Sequence, residues 1–357
     1  MCAASGQIRR RHVRRRLDAV SASVSVWPGG KIRIFFIAAC GLALALYLVA
    51  YIGLGAVFSA AITVGWSGFA IFCVSGLALF PVLGLAWYVL LPGSLRTPWL
   101  LMWARMVRDA ASEVLPFSQL GGIVLGTRSA ILGGAAPPVV FGSMIVDVTA
   151  EVLAQIAYTA FGVAILSARA PRTTLSGSLT TAILIGLVVA AAAGGLFLAL
   201  QRHGRRLTEK LAARLLPRAV ATTAAVGAAL LAIHRSPARI GLSAALHFAG
   251  WIGAAAGVWI AFRLIGQPVD FASVIAIESL ICATRSAVVF VPSGLGVQEA
   301  AYAVLTPLFG IGAEFGLAVS LLKRARDIAL GIPVLVIWQA VEGRRALARE
   351  PTDHITE

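Results

Sequence analysis

Asp147, Glu151 and Gln155 stand at i, i+4 and i+8 of an apolar run, so a helix there carries two carboxylates and an amide on one face. Carboxylates so placed can pair with cations, hold a polar headgroup or take a proton. Further along, Glu278 and Arg285 lie seven apart on one helix face, Glu299 follows, and Arg324 and Asp327 are three apart and able to pair within one helix. On insertion scales a central acid costs about 2.5 to 3.5 kcal/mol in lipid. Left unpaired, these groups with Arg128, Lys323 and Arg326 would outweigh the roughly 5 to 15 kcal/mol by which proteins are stable. They must meet each other or water inside a bundle, either as cross-links between helices or as the lining of a polar cavity.

Two helix-breaking stretches sit among them. Pro292 removes a backbone donor, and Gly294 and Gly296 free the chain to leave helical angles, yet apolar runs flank the stretch on both sides. Pro116 and Gly121-Gly122 frame the other, in which Ser118 and Gln119 offer polar side chains. In lipid such a break is tolerated only where protein or trapped water covers the freed peptide groups; the plainer alternative is a cytoplasmic turn. Ser118-Gln119-Leu120-Gly121 and Ser293-Gly294-Leu295-Gly296 share the pattern Ser-x-Leu-Gly, one in each half of the chain. Paired broken segments of that kind point to a binding site built on a repeat. The expected substrate-binding set is Ser118, Gln119, Asp147, Glu151, Gln155, Glu278, Arg285, Glu299, Arg324 and Asp327, without a catalytic residue. Arg105 and Asp109 are expected to stay solvated on an interfacial helix, and His247 to be a satisfied interior histidine.

The elements that position these residues follow from composition. With 59% hydrophobic residues in 357 and a mean hydropathy of +0.89, the chain reads as an all-α, polytopic membrane bundle of about seven or eight spans plus one or two re-entrant segments. Spans are expected at about Ile34–Val57, Trp66–Leu91, Val139–Leu166, Leu179–Leu200, Ile240–Ile265 and Phe271–Val291, with a short run Ala300–Phe309 and a last region Ile311–Val341. Residues 98 to 115 read as the interfacial helix, the run from there to Leu132 as re-entrant, and Ala219–Ile233 as amphipathic or interfacial. The formal charge of +15 is concentrated in blocks: eight basic side chains within residues 1–33 and six within 202–218. Their position beside apolar runs fits the positive-inside bias and anionic lipid rather than nucleic acid, and places the N-terminus in the cytoplasm. Residues 1–33 thus form a basic arm, 34–341 the membrane domain and 342–357 a short tail.

Cys2, Cys40, Cys73 and Cys282 have no paired spacing for a disulfide framework or a zinc site. No nucleotide loop, catalytic triad or metal cluster stands out, and no cofactor is expected.

Leu115 to Gly122, Val146 to Gln155, Glu278-Ser279-Leu280 and Phe290 to Glu299 together resemble the motif set of the hopanoid-biosynthesis-associated integral membrane proteins. That group is related to the flippase-like membrane region of lysylphosphatidylglycerol synthases. The resemblance covers about residues 34 to 341 and implies a bacterial inner-membrane protein that moves or handles a lipid, a hopanoid or another amphiphile. The sequence holds no aminoacyl-transferase domain, so synthesis of a lysyl-lipid is not implied, and Ser293 stands where the pattern more often has glycine. The expected partners are membrane lipids and, through the resemblance, hopanoid-synthesis enzymes; none of these features sets an oligomeric state. The favoured reading is a lipid translocator. The alternatives are a membrane-embedded transferase with Asp147, Glu151 or Glu299 as general base, and an accessory or scaffold of lipid biosynthesis.

Overall fold

The computed structural model describes residues 54–91, 98–115, 118–169, 220–287 and 296–347, and among them there are helices and no strands. The helices are α1 (Leu54–Leu77), α2 (Leu79–Tyr88), α3 (Trp99–Val114), α4 (Ser118–Leu132), α5 (Pro137–Arg169), α6 (Val220–His234), α7 (Pro237–Leu264), α8 (Phe271–Ala287), α9 (Val297–Leu305) and α10 (Ala313–Leu347), with a 3₁₀ turn at Thr306–Phe309 after α9. The basic arm, most of the first expected span, the span at 179–200, the basic loop 202–218 and the breakers Pro116, Pro292 and Gly294 lie outside the described residues.

Val64–Tyr88, Pro137–Arg169 and Pro237–Leu264 are long and apolar enough to cross a membrane. They coincide with three of the expected spans. At 35 residues α10 is the longest of the described helices, and it runs unbroken through Lys323 to Asp327 and through Pro333. The charges that interrupt its apolar sequence do not interrupt its backbone.

Two short helical hairpins enter the bundle from opposite ends. At one end, Trp87 of α2, Leu91 just after it, Leu101 at the start of α3, Ala130 at the end of α4 and Val140 at the start of α5 share one core. The chain therefore goes inward along α3 and returns along α4 to the end it left. At the other end, Phe262 of α7, Val274 of α8, Ile311 after α9 and Val319 of α10 share a second core, so α8 and α9 form a hairpin from that side. Span six, expected as a crossing, and the short run after it are the two limbs of this hairpin.

The inner ends of both hairpins stop midway along the long helices. Val114, the last residue of α3, lies against Gly331 of α10, and Ser286 near the end of α8 hydrogen-bonds Gln155 of α5. At 1.5 Å per residue, the 16 residues of α3 and 17 of α8 reach about 25 Å, short of the ~30 Å hydrocarbon thickness. Each hairpin is followed by a long helix running back past it, α5 in the first half and α10 in the second. The two halves trace the same path in opposite directions. Of the Ser-x-Leu-Gly echo, Ser118 and Gly121 both lie in the returning limb α4, whereas Gly296, the counterpart of Gly121, has a φ of 78° and caps the returning limb α9 from outside; Ser293 lies outside the described residues.

Close limb packing needs small residues. A Cβ on Gly122 would collide with the Ser112 Oγ and the Arg108 carbonyl, and one on Gly126 would come within 2.7 Å of the Arg108 Cβ. Gly121 and Gly122 were expected to break the chain; both lie inside α4, and Gly122 serves close approach to α3 instead. The chain breaks on either side of α4: between Val114 and Ser118, where Leu115 is extended, and after Leu132, where Gly134 takes a φ of 100° before α5. α6 also departs from expectation. Its residues VATTAAVGAALLAIH are apolar all round, with no polar stripe, and Ala229 and Leu230 pack on Gly142 of α5.

Candidate functional site

The first hairpin brings arginines to the carboxylates of α5. Arg105 Nη2 donates to Glu151 Oε1 at 2.6 Å, and Arg108 donates through Nη2 to Glu151 Oε2 at 2.6 Å and through Nη1 to Asp147 Oδ2 at 3.0 Å. The third side of Asp147 is taken by His247 of α7, whose Nε2 lies 2.9 Å from Oδ1. Arg105 also holds Asp109 one turn on at 3.0 Å. Asp147 is wholly buried, and Arg105, Arg108 and His247 nearly so. Buried charges persist only when paired and hydrogen-bonded, and here two guanidiniums share two carboxylates across α3 and α5.

In the second hairpin the signs are exchanged. The acid sits on the entering limb, where Glu278 of α8 accepts from Lys323 Nζ of α10 at 2.7 Å and from the Tyr302 hydroxyl of α9. Beside it, Glu299 reaches back to the Gly296 N–H at 2.8 Å and accepts from Arg324 Nε at 3.0 Å. The carboxylate thereby both caps α9 and pins it to α10. Gln298 donates to Ser320, closing a third contact between these two helices at 3.0 Å.

Between the hairpins, Arg285 near the inner end of α8 donates through Nη2 to both oxygens of Glu113 near the inner end of α3, at 2.7 and 2.9 Å. Gln155 donates to the Ser286 hydroxyl at 2.6 Å and lies 3.4 Å from the Cys282 carbonyl. Both arms of the repeat thus meet at the middle of α5 and α10.

Residues 15–334, most of this bundle and of the chain, match the lysylphosphatidylglycerol synthase TM region. The chain belongs to that family. No curated protein and no solved structure matches it. For this member of the lysylphosphatidylglycerol synthase TM family, the expected site residues divide among the groups above rather than forming one ring. Asp147 and Glu151 join the arginines of α3, Gln155 and Arg285 lie at the junction, and Glu278 and Glu299 bind α10. Gln119 is exposed on α4, the helix that Ser118 opens.

Two expectations are corrected. Arg105 is not solvated on an interfacial helix: its side chain is 4% exposed because α3 is packed between α2, α4 and α10, which leaves the carboxylates of α5 as its solvent. Arg324 and Asp327 do not pair with each other. Glu299 on the neighbouring helix takes Arg324, and Asp327 takes Arg326 at 2.9 Å. His247 is interior, as expected, and is in addition a member of the ion cluster. Sequence reasoning missed Arg108, Glu113, Tyr302 and the role of Lys323. The signal available was charge balance, since Asp147 and Glu151 demanded two cations and Arg105 and Arg108, at i and i+3, were the nearest pair on a neighbouring helix.

Proposed function

We propose that this protein moves an amphiphilic lipid between leaflets of a bacterial inner membrane, with the headgroup passing the junction of two re-entrant hairpins and the tails remaining in hydrocarbon. The observation that carries this reading is the collection of charged side chains at mid-length of the long helices, where hairpins from opposite ends stop short of crossing. Intramembrane ionisable groups mark substrate paths by default, and broken helices of an inverted repeat are where transporter sites lie. Hopanoids and other amphiphilic lipids both have the polar head and apolar body that such a path requires.

Taken with the apolar runs at 34–57 and 179–200, the hairpins suggest six crossings, with both hairpins re-entrant and both chain ends in the cytoplasm beside the basic blocks. The transferase alternative has less support. Asp147, Glu151 and Glu299 each accept hydrogen bonds from a guanidinium, so the oxygens a general base would present to a substrate are already engaged. The test is purified full-length protein in liposomes with lipids labelled on the acyl chain. Accelerated exposure of label to a membrane-impermeant quencher, with lipid mass unchanged, is the expected result; new lipid mass would favour the enzyme, and neither effect would leave the scaffold.

A further inference from the structure

Resting on the translocator reading, we infer that His247 binds a proton inside the bundle and that lipid movement by this protein is driven by that proton passing along the interface of α5 and α7.

The two ring nitrogens of His247 have different surroundings. Asp147 accepts from Arg108 through Oδ2 and stays ionised, so its Oδ1 accepts from the Nε2–H of His247 at 2.9 Å. That places the proton of the neutral ring on Nε2 and leaves Nδ1 bare. The residue is 1% exposed, and Nδ1 is buried without a hydrogen-bond partner. A proton taken there makes the ring an imidazolium, while Asp147 remains a carboxylate and every hydrogen bond of the group is kept. Histidine is the side chain that commonly changes charge between about pH 5 and 8.

Charge arithmetic calls for that proton. Arg105 and Arg108 bring two positive charges to three carboxylates, those of Asp109, Asp147 and Glu151. A proton on His247 makes the group neutral, and its departure leaves one negative charge inside the bundle, where an unbalanced ion is costly. The other elements packed on α7 do not supply the missing charge. α1, α2 and α6 carry no acid, lysine or arginine, only Cys73, Tyr88 and His234. On α8 and α10, Glu278 pairs with Lys323, Arg285 with Glu113, Arg324 with Glu299 and Arg326 with Asp327, which leaves the thiol of Cys282. Arg239 and Arg263 of α7 itself stand two turns or more from His247.

A stripe of polar atoms runs through the site. Ser243, His247 and Trp251 stand at i, i+4 and i+8 of α7 on the face that meets α5, where His247 bonds Asp147 and Trp251 stacks on Tyr158 with ring centroids 6.0 Å apart. Ser243 Oγ, Trp251 Nε1 and the Tyr158 hydroxyl are, like His247 Nδ1, buried without a hydrogen-bond partner. A buried polar group left unmet costs about 1–3 kcal/mol, so four along one interface call for a role beyond packing. Hydroxyls and an imidazole in a row, bridged by water, can pass a proton. The lipid path is joined to this stripe through Asp147. His247 of α7 and Arg108 of α3 share that carboxylate, and α3 carries at its inner end Glu113, which meets Arg285 at the junction of the hairpins. The charge on His247 therefore sets how firmly α7 holds the group that anchors the first hairpin.

The full-length protein is first titrated in detergent with ¹⁵N-labelled histidine, the His247 signal being assigned among five histidines by its loss in His247→Gln. Nε2 should stay protonated while Nδ1 gains a proton between about pH 8 and 5. A ring held in one state throughout would overturn the inference whatever the lipid does. The protein is then placed in liposomes with acyl-labelled phosphatidylcholine, which has no net charge and no response of its own to pH. If one proton moves with each lipid, a gradient of about one pH unit should shift the label from an even distribution to as much as about ten to one between leaflets, whichever way the protein is inserted. A protonophore should restore the even distribution. His247→Gln, whose amide can still donate to Asp147, should leave the label even. Tyr158→Phe removes a hydroxyl that bonds nothing, so it should unfold at the wild-type temperature yet lose the response to the gradient; a retained response would overturn the path through Tyr158. Evenly distributed label in wild type under the gradient, or a shift kept by folded His247→Gln, would overturn the coupling while leaving translocation standing. Proton entry without lipid movement, read by a pH dye in the lumen, would make the stripe a proton channel and likewise overturn the coupling. Movement of no label under any condition would remove the translocator reading and the coupling together.

Discussion

The two hairpins have the same architecture, but the ion pairs of their entering limbs run in opposite senses. In the first, Arg105 and Arg108 of the entering limb α3 pair with acids of the long helix α5; in the second, Glu278 of the entering limb α8 pairs with Lys323 of the long helix α10. The difference lies in how the charges are joined. Around Asp147 and Glu151, Arg105, Arg108 and His247 form one connected cluster tying together α3, α5 and α7. In the second half Lys323 and Arg324 pair with carboxylates of two different helices, Glu278 of α8 and Glu299 of α9, and Glu278 is helped by a neutral partner, the Tyr302 hydroxyl. Shared guanidiniums make the first half a unit in which one loss is felt by several groups. Separate pairs let α8, α9 and α10 each lose a contact without disturbing the next.

The largest expected effect breaks this contrast at its centre. Arg108→Met leaves Asp147 and Glu151 each short of a donor inside the bundle, and should cost about 3–5 kcal/mol of stability. Lys323→Met leaves Glu278 with the Tyr302 hydroxyl and should cost less, about 1–3 kcal/mol. Thermal unfolding in detergent compares them directly. Equal losses would show that the two halves are held in the same way after all.

A smaller effect tests the limbs themselves. In Gly122→Ala the added methyl meets the Ser112 hydroxyl and the Arg108 carbonyl, so the variant should be destabilised by about 1–3 kcal/mol. Ser112→Ala should rescue only part of that loss, because the carbonyl belongs to the backbone and cannot be trimmed. Gly241→Ala in α7 has nothing within 4 Å of the new methyl and is the control. It should gain about 0.5–1 kcal/mol from helix propensity.

These residues also mark how far the sequence is legible. Hydropathy located the long helices, and the spacing of Asp147, Glu151 and Gln155 put them on one face of α5 as the structure has them. Periodicity describes one helix at a time, however, and is silent on which helix lies opposite. That is why Arg105 was assigned to water when it belongs to Glu151, and why Arg324 was matched with Asp327, its neighbour in sequence, when Glu299 across the interface is nearer in space. Gly122 shows the same limit in the backbone: a glycine pair reads as a break, and only the partner helix reveals it as a contact. The hairpins were legible as breaks, but that each returns to its own end depends on tertiary contacts between residues such as Trp87 and Ala130.

The smallest expected effect sharpens the comparison where each hairpin begins. α3 starts at Pro98 without a side-chain cap, whereas α8 starts behind Asp270, which accepts from the Ser273 backbone N–H at 3.1 Å and hydroxyl at 2.6 Å and from Arg169 at the end of α5. Burial alone would raise the Asp270 carboxyl, but the bonds from Ser273 and Arg169 hold it below the usual aspartate value. A carboxyl lowered on folding contributes stability that is fully present above its unfolded value of about 4 and is lost as pH falls through the folded one. Acidification should therefore loosen the first turn of α8 and leave that of α3 unchanged, which hydrogen exchange on peptides from the two helix starts measures separately. Asp270→Ala should loosen α8 at neutral pH by about 1 kcal/mol and abolish the acid dependence. Asp270→Asn keeps an acceptor for the helix but removes the charge, so it should retain most of the neutral-pH protection and likewise lose its dependence on pH. If exchange at both helix starts responds to acid alike, the asymmetry between the hairpins does not extend to their caps.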